Sequence, residues 1–320
     1  MEAIKVMSGN TVSTSVFDLE AINATYEKVK HKKKRARIDR RKLKAISCIS
    51  SLVLIFIGIF THVVYLYIIE KNDDAEISDR ARTYIAPTMP PLASEPQIIT
   101  DIVTEVVPDL NEPAPEAAPR PVMETVLRLR EEFENEDIIG YIQVPGTAID
   151  YMVLQSYDNE YYLNRDVFHR TTVAGSIFLD YANNAADIGS NRNTIIYGHN
   201  MRDGTKFHNI RHYHDKQYFE ENRYIRLISP HEETLWEVFA FYSTHIDFNY
   251  IEVRFPSDAH FMALIDEIRS KSVHDSDIEF GADDQMLTLS TCTGASRDTR
   301  NVLHAKLISR VNVEDMGDIN

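Results

Sequence analysis

Residues 285–292 read QMLTLSTC, and residues 301–311 read NVLHAKLISRV. Both runs alternate apolar and polar residues over much of their length, which predicts strands with one buried face. Six earlier runs have the same β-rich character, at 138–146, 148–155, 175–181, 193–200, 224–229 and 235–246. Eight strands in succession predict a mainly β fold built as a closed or nearly closed barrel.

Two helices are predicted around these strands. Apolar residues between Val126 and Phe133 recur at helical spacing among charges, which indicates a short amphipathic helix before the first strand. The stretch SDAHFMALIDEIRSK (257–271) indicates a second helix, with Ser257 as its N-cap. This helix would be inserted before the last two strands, and we place the folded domain at 122–320.

Charge is distributed unevenly along the chain. Residues 1–44 carry twelve Lys/Arg against five Asp/Glu, whereas the remaining residues carry 22 basic against 44 acidic side chains. A nucleic-acid-binding domain needs its basic charge on the folded part, and here that charge lies in the tail. We therefore expect no nucleic-acid partner.

Residues 45–69 (AISCISSLVLIFIGIFTHVVYLYII) form a stretch of 25 residues without a charge. This length is enough to cross the hydrocarbon core of a bilayer and exceeds the apolar region of a cleaved signal peptide. Eleven Lys/Arg lie between Lys28 and Lys44, so the positive-inside rule orients the span. We predict a single-pass signal anchor that contacts membrane lipid, with a cytoplasmic tail (1–44) and everything after the span outside the cell membrane.

Proline dominates the next segment. Residues 71–121 contain nine of the chain's twelve prolines and no glycine, and Glu and Asp are frequent. Such a composition buries too little apolar surface to offset the entropy of ordering, and it favours extended spacing. We predict an extracytoplasmic stalk at 70–121.

Cys292 is the only cysteine outside the apolar segment, because the other one, Cys48, lies within it. An unpaired thiol in an extracytoplasmic domain is open to oxidation. Two interpretations stand at this point. Cys292 is either a small buried apolar residue, which is common for free cysteine, or a reactive thiol at the end of a strand.

A reactive thiol needs a group that favours the thiolate. His199 ends the strand-like run 193–199 and precedes a polar turn, where reactive side chains tend to be exposed. Arg300 follows Cys292 by eight residues at the start of the last strand, and a hairpin would bring the two together. Arginine keeps its proton, so it can donate hydrogen bonds to an oxyanion. Arg297 is nearer in sequence but lies in mid-loop.

His208, His212 and His214 raise the alternative of a metal site. The segment has no HExxH pattern and no adjacent array of carboxylates, which zinc enzymes typically have. We favour a solvated loop or helix surface, and we expect neither a metal nor a cofactor.

Three motifs together resemble the sortase family: YGHN (197–200), TLSTC (288–292) and Arg300. The stretches NEDIIGYIQVPGTAIDYMVLQ (135–155) and GSIFLDY (175–181) are similar to class B sortases in particular. The resemblance implies an eight-stranded sortase-type β-barrel and a cysteine transpeptidase. In that enzyme Cys292 attacks the substrate, His199 is the acid and base, and Arg300 holds the oxyanion.

The resemblance also implies a peptide groove. It requires no carboxylate beside the histidine, although Asp180 on the neighbouring strand could orient His199. The implied groove residues are Asn159, Leu163, Tyr197, Ser290 and Thr291. The implied partners are secreted proteins that carry a sorting signal, NPQTN-like or (S/P)PxTG-like, and an amine acceptor from a peptidoglycan precursor or a pilin. The alternatives are a pilus-polymerising sortase, a cell-wall cysteine peptidase and a non-catalytic binding module.

Overall fold

The computed structural model describes residues 19–85 and 121–312. Predictions that concern residues 1–18, 86–120 and 313–320 lie outside the described residues. The chain forms two compact units that divide between Ile69 and Glu70.

The second unit is built on a closed barrel of eight strands, as predicted. The strands are β1 (Ile138–Gln143), β2 (Asp150–Leu154), β3 (Ile177–Leu179), β4 (Asn193–Tyr197), β5 (Tyr224–Ile228), β6 (Glu232–His245), β7 (Met286–Cys292) and β8 (Thr299–Asn312). Their order around the barrel is β1-β2-β3-β4-β7-β8-β6-β5, and β5 pairs with β1 to close it. Because the barrel is closed, each of these eight strands has a neighbour on both sides.

Two pairs of neighbouring strands in this barrel are parallel, and one of them positions the candidate site. β4 and β7 run side by side with Tyr197 opposite Ser290, and β7 pairs antiparallel with β8 so that Cys292 lies opposite Arg300. β2 and β3 are the other parallel pair. The carboxyl ends of β4 and β7 therefore meet at one rim of the barrel, together with the start of β8.

The strands differ from their predicted bounds mainly at the rims. β3 is shorter than the predicted run 175–181, because Gly175 has a positive φ of 54° before it and a turn follows at Asp180. β6 begins before the predicted residue 235, because Ser229 N donates to Glu232 O at 2.8 Å and closes a tight turn. These deviations arise from turns, which periodicity does not report.

Within the described residues, four α-helices accompany the barrel: α1 (Leu19–Arg82), α2 (Pro121–Phe133), α3 (Lys216–Glu221) and α4 (Asp258–Lys271). The predicted helices before β1 and β7 are present as α2 and α4, and Ser257 caps α4 by accepting from His260 N. The same part of the chain has 3₁₀ helices at Tyr161–Asn164, Ile188–Ser190 and Phe207–His214. Helix α3 was not predicted from the sequence pattern; Asp215 caps it by accepting from Tyr218 N.

Helix α1 is, among residues 19–85 and 121–312, the one helix long and apolar enough to cross a membrane. It continues past the apolar segment into the first residues of the predicted stalk. Ala81, near its end, is 1% exposed and belongs to the same apolar cluster as Val126 and Leu129 of α2. Of the predicted stalk, residues 70–85 are mostly helical and pack within the second unit, and Pro121 begins α2.

Candidate active site

Cys292 is the last residue of β7, and its half-buried thiol is free of any disulfide. The strand is held on both sides, by β4 and by β8, so its end is fixed by two ladders of hydrogen bonds. Thr293 N donates to Thr299 O at 3.2 Å and closes the loop that leads into β8. The site's thiol therefore stands on a rigid strand rather than on a loop.

His199 leaves β4 at the same rim. Gly198 N donates to Ser290 O at 3.3 Å, which extends the β4–β7 pairing by one step beyond Tyr197. A side chain at Gly198 would clash, because its Cβ would lie 2.3 Å from Ile177 Cδ1 and 2.9 Å from Phe207 Cδ2. The glycine before His199 is thus required by the close approach of these two side chains.

Hydrogen bonds connect the backbone around His199 with that of Cys292 through Asn200. The side-chain amide of Asn200 donates to Cys292 O at 2.9 Å, and Phe207 N donates to His199 O at 2.9 Å. The imidazole itself has its Nε2 2.6 Å from Leu163 O. If Nε2 carries the proton in this contact, Nδ1 is left free to exchange a proton at the rim.

Arg300 lies directly across the β7–β8 pair from Cys292. Its Nη1 donates to Arg297 O at 2.6 Å and to Thr299 O at 3.1 Å, so the guanidinium is held by the turn that precedes it. Arg297 is exposed, and the register excludes it from the position opposite the thiol. A thiol, an imidazole and a fixed cation therefore meet at one rim, and these are the parts that acyl transfer requires.

Comparison with known proteins identifies the family. The family model for the sortase domain matches residues 142–308. Sortase B of Listeria monocytogenes is 37% identical over 178 residues, which cover 55% of this chain and 72% of that protein. The chain belongs to the class B sortases. The predictions of the family and of a cysteine transpeptidase are confirmed.

Solved structures of sortase B share the fold. The Staphylococcus aureus sortase B–substrate complex matches with a TM-score of 0.55 at 34% identity, covering 59% of this chain and 86% of that one. A sortase B complexed with triglycine matches with a TM-score of 0.55 at 33% identity, covering 60% of this chain and 87% of that one. The sortase-type barrel predicted from the sequence is thereby confirmed.

Two of the implied groove residues of this sortase are joined by Asp180. Its Oδ2 accepts from Asn159 Nδ2 at 2.8 Å and from the Tyr197 hydroxyl at 2.8 Å. Burial, and then the charge and hydrogen bond of Asp180, raise the pKa of Tyr197, so this phenol stays a donor. His199 has the carbonyl of Leu163 as its partner, and Asp180 holds Asn159 and Tyr197 instead of orienting His199.

The other implied groove residues have different surroundings. Leu163 is 42% exposed, and its carbonyl contacts His199. Ser290 and Thr291 are both buried, and they point to opposite faces because they are adjacent in a strand. Thr291 Oγ1 has no hydrogen-bond partner among the described residues.

Tyr250 is a residue of this rim that sequence reasoning missed. Its hydroxyl lies 2.9 Å from Ser290 Oγ, on the strand that ends in Cys292. Burial raises its pKa, while the hydrogen bond with Ser290 and the charge of Arg300 oppose that rise. The Tyr250 phenol is therefore close enough to the rim of Cys292 and Arg300 to interact electrostatically with these residues. Tyr250 lies in the stretch DFNYI (247–251), and nothing in the spacing of that stretch indicates this contact.

The three histidines first considered for a metal lie on or at the end of the 3₁₀ helix Phe207–His214. His208 Nδ1 is 2.9 Å from Asn200 Oδ1, and burial together with the charges of Arg211 and His212 lowers its pKa. Among residues 19–85 and 121–312, no group of three or more potential ligands is arranged to hold a metal ion.

Proposed function

We propose that this sortase cleaves a C-terminal sorting signal after its threonine and transfers the new carboxyl group to an amine acceptor at the cell wall. The observation that carries the proposal is the convergence of three strand ends, with Cys292 opposite Arg300 and His199 leaving the neighbouring parallel strand. The roles of these three residues are part of the proposal.

The first half-reaction forms a thioester. The Cys292 sulfur attacks the threonine carbonyl carbon, and the carbonyl oxygen becomes an oxyanion that the Arg300 guanidinium stabilises by donated hydrogen bonds. Collapse of this intermediate breaks the peptide bond, and protonated His199 supplies the proton that the departing amine needs. The acyl group remains on sulfur, and His199 is left neutral.

The second half-reaction reverses these roles. An acceptor amine attacks the thioester carbonyl, neutral His199 takes the proton that the amine loses, and Arg300 again holds the oxyanion. The C–S bond breaks, and Cys292 returns as thiolate beside a protonated imidazole. The same groups therefore serve both steps, and no other catalyst is needed to balance the protons.

We place the proposed groove for the signal between the 3₁₀ helix Tyr161–Asn164 and the β4–β7 rim, where Leu163 O contacts His199 Nε2. Asn159, Leu163, Tyr197 and Ser290 are proposed to line it, whereas the Thr291 side chain points to the other face of β7. Their amide, hydroxyl and apolar groups suit an uncharged, extended peptide of the NPQTN or (S/P)PxTG type. A glycine amine as acceptor is supported by the related sortase B complexed with triglycine, and the amine would come from a peptidoglycan precursor or a pilin.

Location follows from the sequence. Eleven Lys/Arg lie between Lys28 and Lys44, before the apolar segment, and only Lys71, Arg80 and Arg82 follow it within a similar distance, which favours a cytoplasmic N-terminus and an extracellular catalytic unit. A membrane-anchored enzyme would meet both a secreted substrate and a lipid-linked acceptor at the same surface.

The test is a peptide-library reaction with candidate amines, read by mass spectrometry. We expect the wild type to form amide products with triglycine, and Cys292→Ala to form none, because the thioester cannot form. Cleavage by the alanine variant would overturn the assignment of Cys292. Products that contain only water-derived carboxylate, whichever amine is supplied, would instead identify a cell-wall peptidase.

A further inference from the structure

The end of helix α1, from Glu70 to Arg82, contacts the segment that carries His199. We call residues 198–207 the His199 loop. Lys206 Nζ lies 2.7 Å from Asp74 Oδ1, and Lys71 Nζ lies 3.9 Å from Asp203 Oδ2. Two ion pairs thus join the helix to the second half of this loop.

The Asp74–Lys206 pair is shielded from solvent. The Lys206 side chain is 6% exposed and the Asp74 side chain 19%. A buried ammonium without a counter-charge is costly, whereas pairing and shielding make the contact less sensitive to salt than a surface ion pair. The position of the Lys206 side chain therefore depends on Asp74.

The backbone of Lys206 is held in an unusual conformation. Its φ is +57° and its ψ −131°, which non-glycine residues rarely adopt. Such a conformation persists only where surrounding contacts enforce it. Here the barrel supplies one contact, since Lys206 N donates to the Tyr151 hydroxyl at 2.8 Å, and the helix supplies the other through Asp74.

Lys206 is connected through the backbone to the barrel rim that carries His199 and Cys292. Asn200 and Lys206 form an antiparallel bridge across the loop, and the next residue, Phe207, donates its N–H to His199 O at 2.9 Å. Asn200 in turn donates to Cys292 O at 2.9 Å. A displacement of Lys206 would therefore change the backbone that holds His199 at the rim where β7 ends in Cys292.

We propose that Asp74 and Lys206 are positioning residues, and that the α1 end holds the His199 loop in place through their ion pair. The proposal rests on the role assigned to His199 under the proposed function, but its structural part is independent of the substrate. The residues that follow the apolar segment would then position the His199 loop in addition to linking the barrel to that segment.

Hydrogen exchange of the full-length chain in detergent micelles tests the structural part. We expect Asp74→Asn and Lys206→Met to raise exchange in peptides covering 198–207 about tenfold, the size typical of groups in direct contact. Asp73→Asn is the matched control, because Asp73 lies next to Asp74 but pairs with Arg170, and both of those side chains are about half exposed. Exchange equal to that of the control, or raised evenly over the whole barrel, would overturn the proposal.

Thiol reactivity tests the link to catalysis without a peptide substrate. Modification of Cys292 by a methanethiosulfonate reagent is followed from pH 5 to 9 by the mass of the peptide containing it. We expect Asp74→Asn and Lys206→Met to slow modification at pH 7 about threefold and to move the rate profile, because the backbone that carries His199 at the rim of Cys292 is no longer held in place.

A double variant shows whether Asp74 and Lys206 act on the modification rate through their ion pair or independently. Asp74→Asn combined with Lys206→Met should be no slower than either single variant, since the pair acts as one unit. Additive losses would contradict the proposal. Asp74→Glu keeps the charge and should restore most of the wild-type profile. A wild type that cleaves no sorting peptide would refute the proposed function, while the exchange result would still decide the positioning role.

Discussion

At the scale of single residues, the site depends on which side chain faces which across a strand pair. Cys292 and Arg300 are eight positions apart in sequence and opposite each other in the β7–β8 register. Arg297 is closer to Cys292 in sequence, yet it projects from the exposed turn. Its carbonyl accepts from Arg300, so the turn positions the arginine that we propose as the oxyanion donor.

Arg300→Lys keeps the positive charge and loses the planar fork of donors. We expect kcat for transfer of a sorting peptide to fall about 100-fold, the usual cost of losing an oxyanion donor, with a smaller change in KM. Steady-state kinetics on the peptide found in the library reaction measures both constants. Arg297→Lys is the control and should match the wild type; a loss shared equally by the two variants would remove Arg300 from its proposed role.

At the scale of elements, one buried chain of polar side chains crosses four strands. Thr288 on β7 donates to Asn193 on β4 at 2.6 Å, so its oxygen must accept from His304 Nδ1 on β8 at 2.9 Å. The other nitrogen, Nε2, then accepts from the Tyr242 hydroxyl on β6 at 2.8 Å. All four residues are buried, and the geometry requires a neutral imidazole with its proton on Nδ1.

This network makes stability depend on pH. Burial lowers the pKa of His304 from 6.5 to about 3, so between those values the unfolded chain binds more protons than the folded one. The stabilising contribution is therefore full above pH 6.5 and is lost as the pH falls toward 3. Between pH 7 and pH 5 the loss should be about 2 kcal/mol.

Urea unfolding of the wild type and of His304→Leu at the two pH values measures this contribution. The variant should be less stable at pH 7, because Thr288 and Tyr242 lose a partner, and its stability should fall less on acidification. His231→Leu, at an exposed position, should keep the wild-type pH dependence. Equal pH dependence in the wild type and His304→Leu would show that His304 is not the responsible group.

At the scale of the whole molecule, the second unit includes more than the barrel. An apolar cluster joins Ala81 near the end of α1, Val126 and Leu129 of α2, and Ile138 and Tyr141 of β1. Ion pairs between Arg80 and Glu132, and between Arg82 and Asp150 at 2.7 Å, lie around it. The helix end thus contributes to the stability of the catalytic unit as well as to the His199 loop.

Ala81→Asp places an unpaired carboxylate in this cluster. We expect the free energy of unfolding of the catalytic unit to fall by about 3 kcal/mol, the cost of an uncompensated buried charge. Ala75→Asp, at an exposed position of the same helix segment, should have little effect. Thermal or urea unfolding of the full-length chain in micelles measures the stability of both variants. Equal free energies of unfolding for Ala81→Asp and Ala75→Asp would mean that the α1 end does not pack as described.

Local sequence patterns were sufficient to predict the strands, the inserted helix and one helix long and apolar enough to cross a membrane, and they singled out Cys292, His199 and Arg300 as candidate site residues. Periodicity and capping depend on near neighbours, and YGHN, TLSTC and Arg300 carry the family's motif directly. Predicted strand bounds differed where turns intervened, as at Gly175 and Ser229, because turn geometry does not follow the alternation of apolar residues.

Tertiary packing alone determined which residues distant in sequence come into contact. Packing brought Asp180 to Asn159 and Tyr197 rather than to His199, brought Tyr250 to Ser290, and placed Asp74 against Lys206, 132 positions away. The contacts of Asp180 and Tyr250 depend on how the barrel strands and the loops between them pack, and the Asp74–Lys206 contact depends on the packing of the α1 end. A local pattern specifies an element and its buried face, whereas contact partners follow from how all the elements pack together.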